Sequence, residues 1–144
     1  MTVATARPHA DGIVALLTAA GVLVDRGKAP AGGGWAGNPG TSTFTGYAVL
    51  YPFTGRDDAA SLAQTHDAFD FSFQITVVGA TQDQAIGVMD AVRTALIGVT
   101  PVVAGRAAYP VYRMPLDQPI SRDDAVVPPV HYGVVQFHFR SEPT

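Results

Sequence analysis

Two histidines near the end of the chain, His131 and His138, are the first pair whose residue type could bind a metal ion. They are seven residues apart on a predicted strand, and side chains on a strand alternate between the two faces of a sheet. Because an odd separation sends them to opposite faces, we expect no shared ion. His9 has no ligand partner nearby, and His66 has only the adjacent Asp67. We therefore expect four surface or hydrogen-bonded core histidines and no metal site.

Two acidic pairs, Asp57–Asp58 and Asp123–Asp124, are the next candidates for chemistry. Two coupled, buried carboxylates can carry out acid–base catalysis. Each pair, however, directly follows an arginine, Arg56 or Arg122, which is typical of solvated turns with local ion pairs. The turn is the favoured interpretation. Salt bridges between subunits and shared acid catalysis remain alternatives.

The sequence contains no nucleophile or phosphate signature. The stretch "VVGATQDQA" follows a predicted strand and opens a helix, but it lacks the glycine spacing and the lysine of a phosphate-binding loop. The serines show no nucleophile elbow. The phenylalanines lack the neighbouring Lys and Arg residues that a base-stacking surface needs, so core packing is favoured. We predict a protein that is not an enzyme and has no cofactor.

Length and composition limit the domain count and the kinds of partner that the chain could bind. The 144 residues suggest one domain, which we place over residues 1–144. Charged residues make up only 15 % and the net charge is −3, so a surface that grips phosphates is not expected. The low charge favours burial against partners, or reflects a compositional habit of the genome. There is no cysteine, and the longest apolar run, 12–24, has 13 residues, too short for the ~20 of a membrane helix.

The elements around these residues are predicted most clearly in "FDFSFQITVVGATQDQAIGVMDAVRTALIG", residues 69–98. Alternating apolar residues predict a half-buried strand, followed by a turn at Gly79. Thr81 and Gln84 form a predicted capping box, in which each side chain accepts the other's backbone N–H. The helix then ends at Gly98.

The remaining chain supplies a first helix over 8–20 and further strands over 22–24, 47–53, 101–113 and 130–142. This order predicts an α+β fold, a mostly antiparallel or mixed sheet with two main helices packed on one face. Three segments are predicted as loops: the Gly/Pro-rich 25–46, the polar 54–68 and the Pro-rich 114–129. The first holds Trp35, and we expect a neighbouring subunit to hold this loop, with packing on its own domain as the alternative.

Several stretches follow one another between residues 8 and 140, and their order and spacing resemble a known pattern. They are "ALLTAAGV", "YAVLYPFTG", "FQITVVGATQDQAIGVMDAVRTALIG" followed by "VAGR", then "SRDD" and "PPVHYGVVQFHF". The combination resembles the tail terminator proteins of long-tailed bacteriophages, particularly those that infect actinobacteria. The glycine-rich part, 29–40, is longer than the family pattern leads us to expect.

The resemblance implies a structural virion protein that forms a ring of six on the head-proximal end of the tail tube. Such a ring ends tube polymerisation and joins the tail to the head connector or stopper protein. The subunits would assemble in the host cytoplasm and reside in the neck of the virion, without a membrane. Because the chain is acidic, DNA would pass through the lumen without specific binding.

We expect subunit contacts in the three loops, at the residues Trp35, Arg56, Asp57, Arg122, Asp123 and Asp124. A head-completion or stopper protein of the phage neck is the alternative within the same class. A small α/β enzyme or ligand-binding domain is the competing class, and a deep pocket with converging polar groups would favour it. A nucleic-acid-binding protein would need a basic face.

Overall fold

Two helices and ten strands form the part of the chain that the computed structural model describes, residues 3–58 and 68–144. Their bounds are α1 Ala6–Ala19, β1 Val24–Arg26, β2 Gly34–Trp35, β3 Phe44–Thr45, β4 Tyr47–Pro52, β5 Arg56–Asp58, β6 Ala68–Gly79, α2 Gln82–Leu96, β7 Arg106–Ala108, β8 Tyr112–Arg113, β9 Ser121–Asp123 and β10 Val130–Pro143.

The main sheet has the strand order β1-β4-β6-β10-β7. The short strand β5 lies beside β6, and β8 and β9 lie beside β10. Strand β1 runs parallel to β4, whereas the other pairings of this sheet are antiparallel. The predicted α+β class with a mixed, mostly antiparallel sheet is confirmed.

Strands β6 and β10 form the centre of the molecule. They pair from His131↔Gly79 to Ser141↔Phe69, and their inward side chains are fully buried: Phe71, Phe73, Ile75, Val77, Val135, Phe137 and Phe139. The rings of Phe73 and Phe137 stack with centroids 5.5 Å apart. Each such side chain contributes about 1.5–3 kcal/mol on burial, so this pair of strands supplies much of the hydrophobic stabilisation.

Both helices pack against that same apolar face. Ile13 and Leu17 of α1, and Val92 and Leu96 of α2, are fully buried in one cluster with the inward residues of β6 and β10. On β4, Ala48 and Leu50 point into this core while Tyr51 is exposed, as the alternation predicts. The predicted arrangement, with two helices on one face of the sheet, is confirmed.

The helix ends follow the predicted signals with two differences. Helix α1 begins at Ala6, two residues before the predicted start, and its Asp11 forms an ion pair with Arg26. In α2 the Thr81 hydroxyl accepts the Gln84 N–H at 3.1 Å as predicted, but the Gln84 side chain accepts the N–H of Ala80, at 2.8 Å.

Three segments predicted as loops contain short strands. Segment 25–46 includes β2 and β3, which form a separate two-stranded ribbon, and 114–129 includes β9. Segment 54–68 includes β5, while residues 59–67, with His66 and Asp67, lie outside the described residues. These strands escaped prediction because two or three residues among Gly and Pro show no periodicity, and pairing with a longer strand is what defines them.

Candidate functional site

The Gly-rich segment is held by aromatic contacts within its own domain. Trp35 on β2 meets Phe44 edge to face, with centroids 5.0 Å apart, and Phe44 stacks on Tyr47 of the main sheet at 6.3 Å. Gly33 lies so close to Tyr47 that a Cβ there would be 2.9 Å from its ring. Within one chain, the segment 25–46 therefore packs on its own domain, which was the alternative to contact with a neighbouring subunit. Trp35 remains a predicted interface residue, since its side chain is partly exposed.

The indole nitrogen of Trp35 has an unusual environment. Its Nε1 is buried and has no hydrogen-bond partner among the residues that the structure describes. A buried N–H without an acceptor costs about 1–3 kcal/mol. Because this nitrogen is already buried within the chain, its missing acceptor does not mark a point where a partner binds.

Arg122, Asp123 and Asp124 form a locally paired turn at β9. Arg122 Nε donates to the Asp124 carboxylate, and Asp123 Oδ1 accepts the Ala125 N–H at 3.0 Å. The Arg122 and Asp124 side chains are 59 % and 69 % exposed. This matches the solvated-turn interpretation and leaves their role at an interface a prediction.

Arg56 and Asp57 lie at the other end of the sheet. Strand β5 pairs with the beginning of β6, in the register Arg56↔Asp70. Strand β9, in contrast, pairs with the beginning of β10, which faces the end of β6. The 25–46 segment joins the β9 end, because a Cβ on Gly40 would be 3.6 Å from Pro128. The six predicted residues thus form two separate surfaces, one at each end of the central strands.

Asp70 is the centre of a charged cluster that the sequence did not indicate. Its carboxylate lies 3.2 Å from His138 Nε2, 3.6 Å from Arg140 Nη1 and 3.9 Å from Arg56 Nη2. The side chains of Asp70 and His138 are only 13 % and 14 % exposed. Asp70 alternates with phenylalanines on β6, so the outward position was predictable. Its partners depend on the β6–β10 register, which the sequence does not reveal.

A cleft of about 420 Å³ opens beside this cluster on the face of the sheet away from the helices. It is lined by Phe53, Thr54, Gly55, Arg56, Asp70, Ser72, Tyr112, Met114 and His138. The Tyr112 ring rests on His138 at a centroid distance of 4.9 Å. Burial lowers the pKa of His138, and the neighbouring Asp70 opposes that effect.

The cluster has two members of a Ser–His–Asp arrangement, but the geometry of nucleophilic catalysis is incomplete. His138 contacts Asp70 through Nε2, while its Nδ1 is buried and has no hydrogen-bond partner among the described residues. Ser72 lines the same cleft, yet it does not supply that bond. Catalysis of this type needs the nucleophile within hydrogen-bond reach of the imidazole.

Metal-binding clusters and membrane-spanning helices are both absent from residues 3–58 and 68–144. Within those ranges no group of three or more His, Asp or Glu side chains could hold a metal ion. In the same part of the chain, neither helix is long and apolar enough to cross a membrane.

Comparison with known proteins yields structural likeness only. No protein-family model matches the chain, and no curated protein matches it in sequence. A protein from the virion of a native gene transfer agent particle has a similar fold, with a TM-score of 0.50 and 19 % identity, over 90 % of this chain and 84 % of that chain.

A second solved structure, which carries no functional name, matches at a TM-score of 0.50 and 15 % identity, over 94 % of this chain and 96 % of that one. At these identities the likeness establishes the fold. The chain therefore has an α+β fold that also occurs in a component of a virion particle.

Proposed function

We propose that this chain is a structural subunit of a phage-like particle, and in particular the tail terminator. In this role it forms a ring of six at the head-proximal end of the tail tube, stops tube polymerisation and joins the tail to the head connector. The observation that carries the proposal is the fold shared with a gene transfer agent virion protein over most of both chains.

The two end surfaces support this role. A ring that joins a tube to a connector must make contacts on two opposite faces, in addition to those between neighbouring subunits. A head-to-tail contact between different surfaces closes into a ring when its rotation divides the circle. The chain offers the Trp35 and Arg122–Asp124 surface at one end of β6 and β10, and the Arg56–Asp57 surface at the other.

The charge of the chain suits a channel for DNA. Each subunit has a net charge of −3, so a ring would be acidic and would repel phosphates rather than bind them specifically. Measured affinity for DNA that falls steeply with salt would contradict this part of the proposal.

The deciding experiment is electron microscopy of particles produced after deletion of the gene, with the gene restored on a plasmid as control. A tail terminator leaves filled heads without tails and free tubes of uncontrolled length. Tails of normal length that fail to join heads would instead identify the stopper protein of the neck. Normal particles would refute both roles and direct attention to the cleft beside Asp70.

A further inference from the structure

A chain of hydrogen bonds, with a buried bond between His9 and Ser141 at its centre, links three elements at one end of the core. His9 Nδ1 lies 2.7 Å from the Thr5 carbonyl oxygen, and His9 Nε2 lies 2.7 Å from Ser141 Oγ. Arg106 Nε donates to the same Ser141 Oγ at 2.7 Å, and its Nη2 donates to the Ser141 carbonyl at 3.2 Å. The bonds connect the first turn of α1, the end of β10 and the edge strand β7. Both His9 and Ser141 are fully buried.

The partners determine where the protons lie. A carbonyl oxygen only accepts, so His9 carries its proton on Nδ1 and donates it to Thr5. Arg106 only donates, so the Ser141 oxygen accepts from Arg106 and its hydroxyl donates to His9 Nε2. Every bond in the chain is thus made when His9 is neutral.

A second proton on His9 is incompatible with that arrangement. Nε2 would become a donor, and the Ser141 hydroxyl would lose its acceptor. The imidazolium and the Arg106 guanidinium would then face each other across one hydroxyl group. A buried charge without a compensating partner is strongly unfavourable.

Among the described residues, the rings that pack against His9 are uncharged aromatic side chains. The rings of Phe69, Phe71 and Phe139 lie around the imidazole at 4.6, 5.7 and 5.6 Å. Strands β6 and β10 therefore present aromatic rings and the Ser141 hydroxyl, β7 presents Arg106, and α1 itself presents the Thr5 carbonyl. Burial lowers the pKa of His9, the Thr5 bond raises it, and Arg106 lowers it further.

We propose that the chain Arg106–Ser141–His9–Thr5 is an acid-opened latch, in which a proton on His9 releases the first turn of α1 and the strand β7 from the end of β10. The central sheet stays paired, because β6 and β10 are joined along their whole facing length, whereas β7 pairs with β10 only at Ser141, Glu142 and Pro143. Opening exposes the edge of β10 at those residues.

The pKa of His9 in the open and closed forms determines how the stability of the latch changes with pH. His9 in the open form has its ordinary pKa of 6.5, and in the closed form its pKa is lower. The closed form is therefore most stable above 6.5 and loses stability as the pH falls from 6.5 towards the lowered value. Within that window the ratio of open to closed molecules rises up to about tenfold for each pH unit.

Hydrogen exchange of the full chain, compared at about pH 7.5 and about pH 5.0 and corrected for intrinsic rates, tests the latch. The amides of α1's first turns and of β7 should lose protection at the lower pH, while those of β6 keep it. His9→Phe, which fills the phenylalanine-lined site without a titratable group, should make exchange in α1 and β7 independent of pH. His138→Gln is the matched control and should leave the acid-induced opening in place.

Direct titration of the wild-type protein keeps the test decisive if His9→Phe fails to fold. Nitrogen-15 NMR should report a proton on Nδ1 and none on Nε2 at neutral pH, with a titration midpoint that coincides with the loss of protection in α1 and β7. Unchanged protection of these elements at about pH 5.0, or a proton on Nε2 at neutral pH, would overturn the proposal.

Discussion

Asp70 is the only charged residue of β6, and its carboxylate lies near three basic side chains. Its partners come from β5 and β10, so the carboxylate joins the strands on both sides of it. Because Asp70 is mostly buried and contacts three basic groups, its removal takes away a carboxylate that Arg56, His138 and Arg140 share. This carboxylate therefore connects the charged side chains on the face of the sheet that lies away from the helices.

Asp70→Asn should destabilise the fold by about 1–3 kcal/mol, since a mostly buried carboxylate loses its charge and with it the attraction to His138 and Arg140. Urea unfolding followed by circular dichroism measures the change. Asp90→Asn is the control, because Asp90 is 65 % exposed and 4.0 Å from Arg93, so its loss should change stability by less than about 0.5 kcal/mol. Equal effects of both substitutions would show that the Asp70 cluster contributes no more to stability than an exposed ion pair.

Gly55 is a second residue with a specific requirement. It has φ +87°, and a Cβ there would be 1.9 Å from the Phe69 ring. Gly55→Ala should therefore cost well over the ~1 kcal/mol of positive φ alone, because the ring must leave its position in the core.

Gly105→Ala is the matched control for Gly55→Ala. Gly105 has φ +72° and nothing within 4 Å of the added Cβ, so it reports the backbone cost alone. Thermal unfolding should give a clearly larger drop in Tm for the Gly55 variant. A smaller drop at Gly55 than at Gly105 would contradict the close approach of this turn to Phe69.

Helix α2 shows how local signals define an element of this fold. Thr81 accepts the N–H of Gln84, Asp83 lies in the first turn, and Arg93 lies in the last. All three were predictable, because capping and dipole preferences act within a few residues of the chain.

Thr81→Ala should destabilise the protein by about 1 kcal/mol, the usual cost of a lost N-cap side chain. Thr94→Ala, on the exposed side of the same helix, is expected to be neutral or slightly stabilising, since alanine has the higher helix propensity. Chemical unfolding of the two variants should separate them. If Thr94→Ala proves the more damaging change, the capping argument for α2 is wrong.

Sequence periodicity predicted both helices, the long strands β6 and β10, and the face of each that points to the core, because these elements are long enough to show a period. Periodicity could not predict the parallel pairing of β1 with β4 or the cluster at Asp70, because both depend on which distant segments become neighbours. His9 was predicted only as a surface or core residue. Its link to Ser141 spans most of the chain and leaves no local signal.

At the scale of the whole molecule, the predicted contact residues occupy two ends of one rigid sheet. Trp35, which is partly exposed and meets Phe44 edge to face, is the aromatic side chain that we propose as an anchor for a partner. Interface energy is concentrated in such residues.

Trp35→Ala should weaken assembly of the proposed ring while the monomer remains folded, since β2 and β3 lie outside the main sheet. Analytical ultracentrifugation gives the oligomeric state, and circular dichroism with thermal unfolding gives the fold. Val102→Ala is the control, because Val102 is 86 % exposed and its backbone lies against Gly12 of α1 rather than the Trp35 segment. A variant that unfolds as a monomer would make Trp35 a core residue and remove it from the interface.

The pairing of β10 with β6, β7, β8 and β9 also sets an order of events during synthesis. A chain emerges from its N-terminus, so β6 and both helices are complete before the strand that unites the sheet has been made. Until then β6 keeps an open edge that displays its phenylalanines to any other chain nearby. The edge of β6 is therefore covered only after translation has passed β10, so association through that edge is a hazard of the growing chain and not of the finished one.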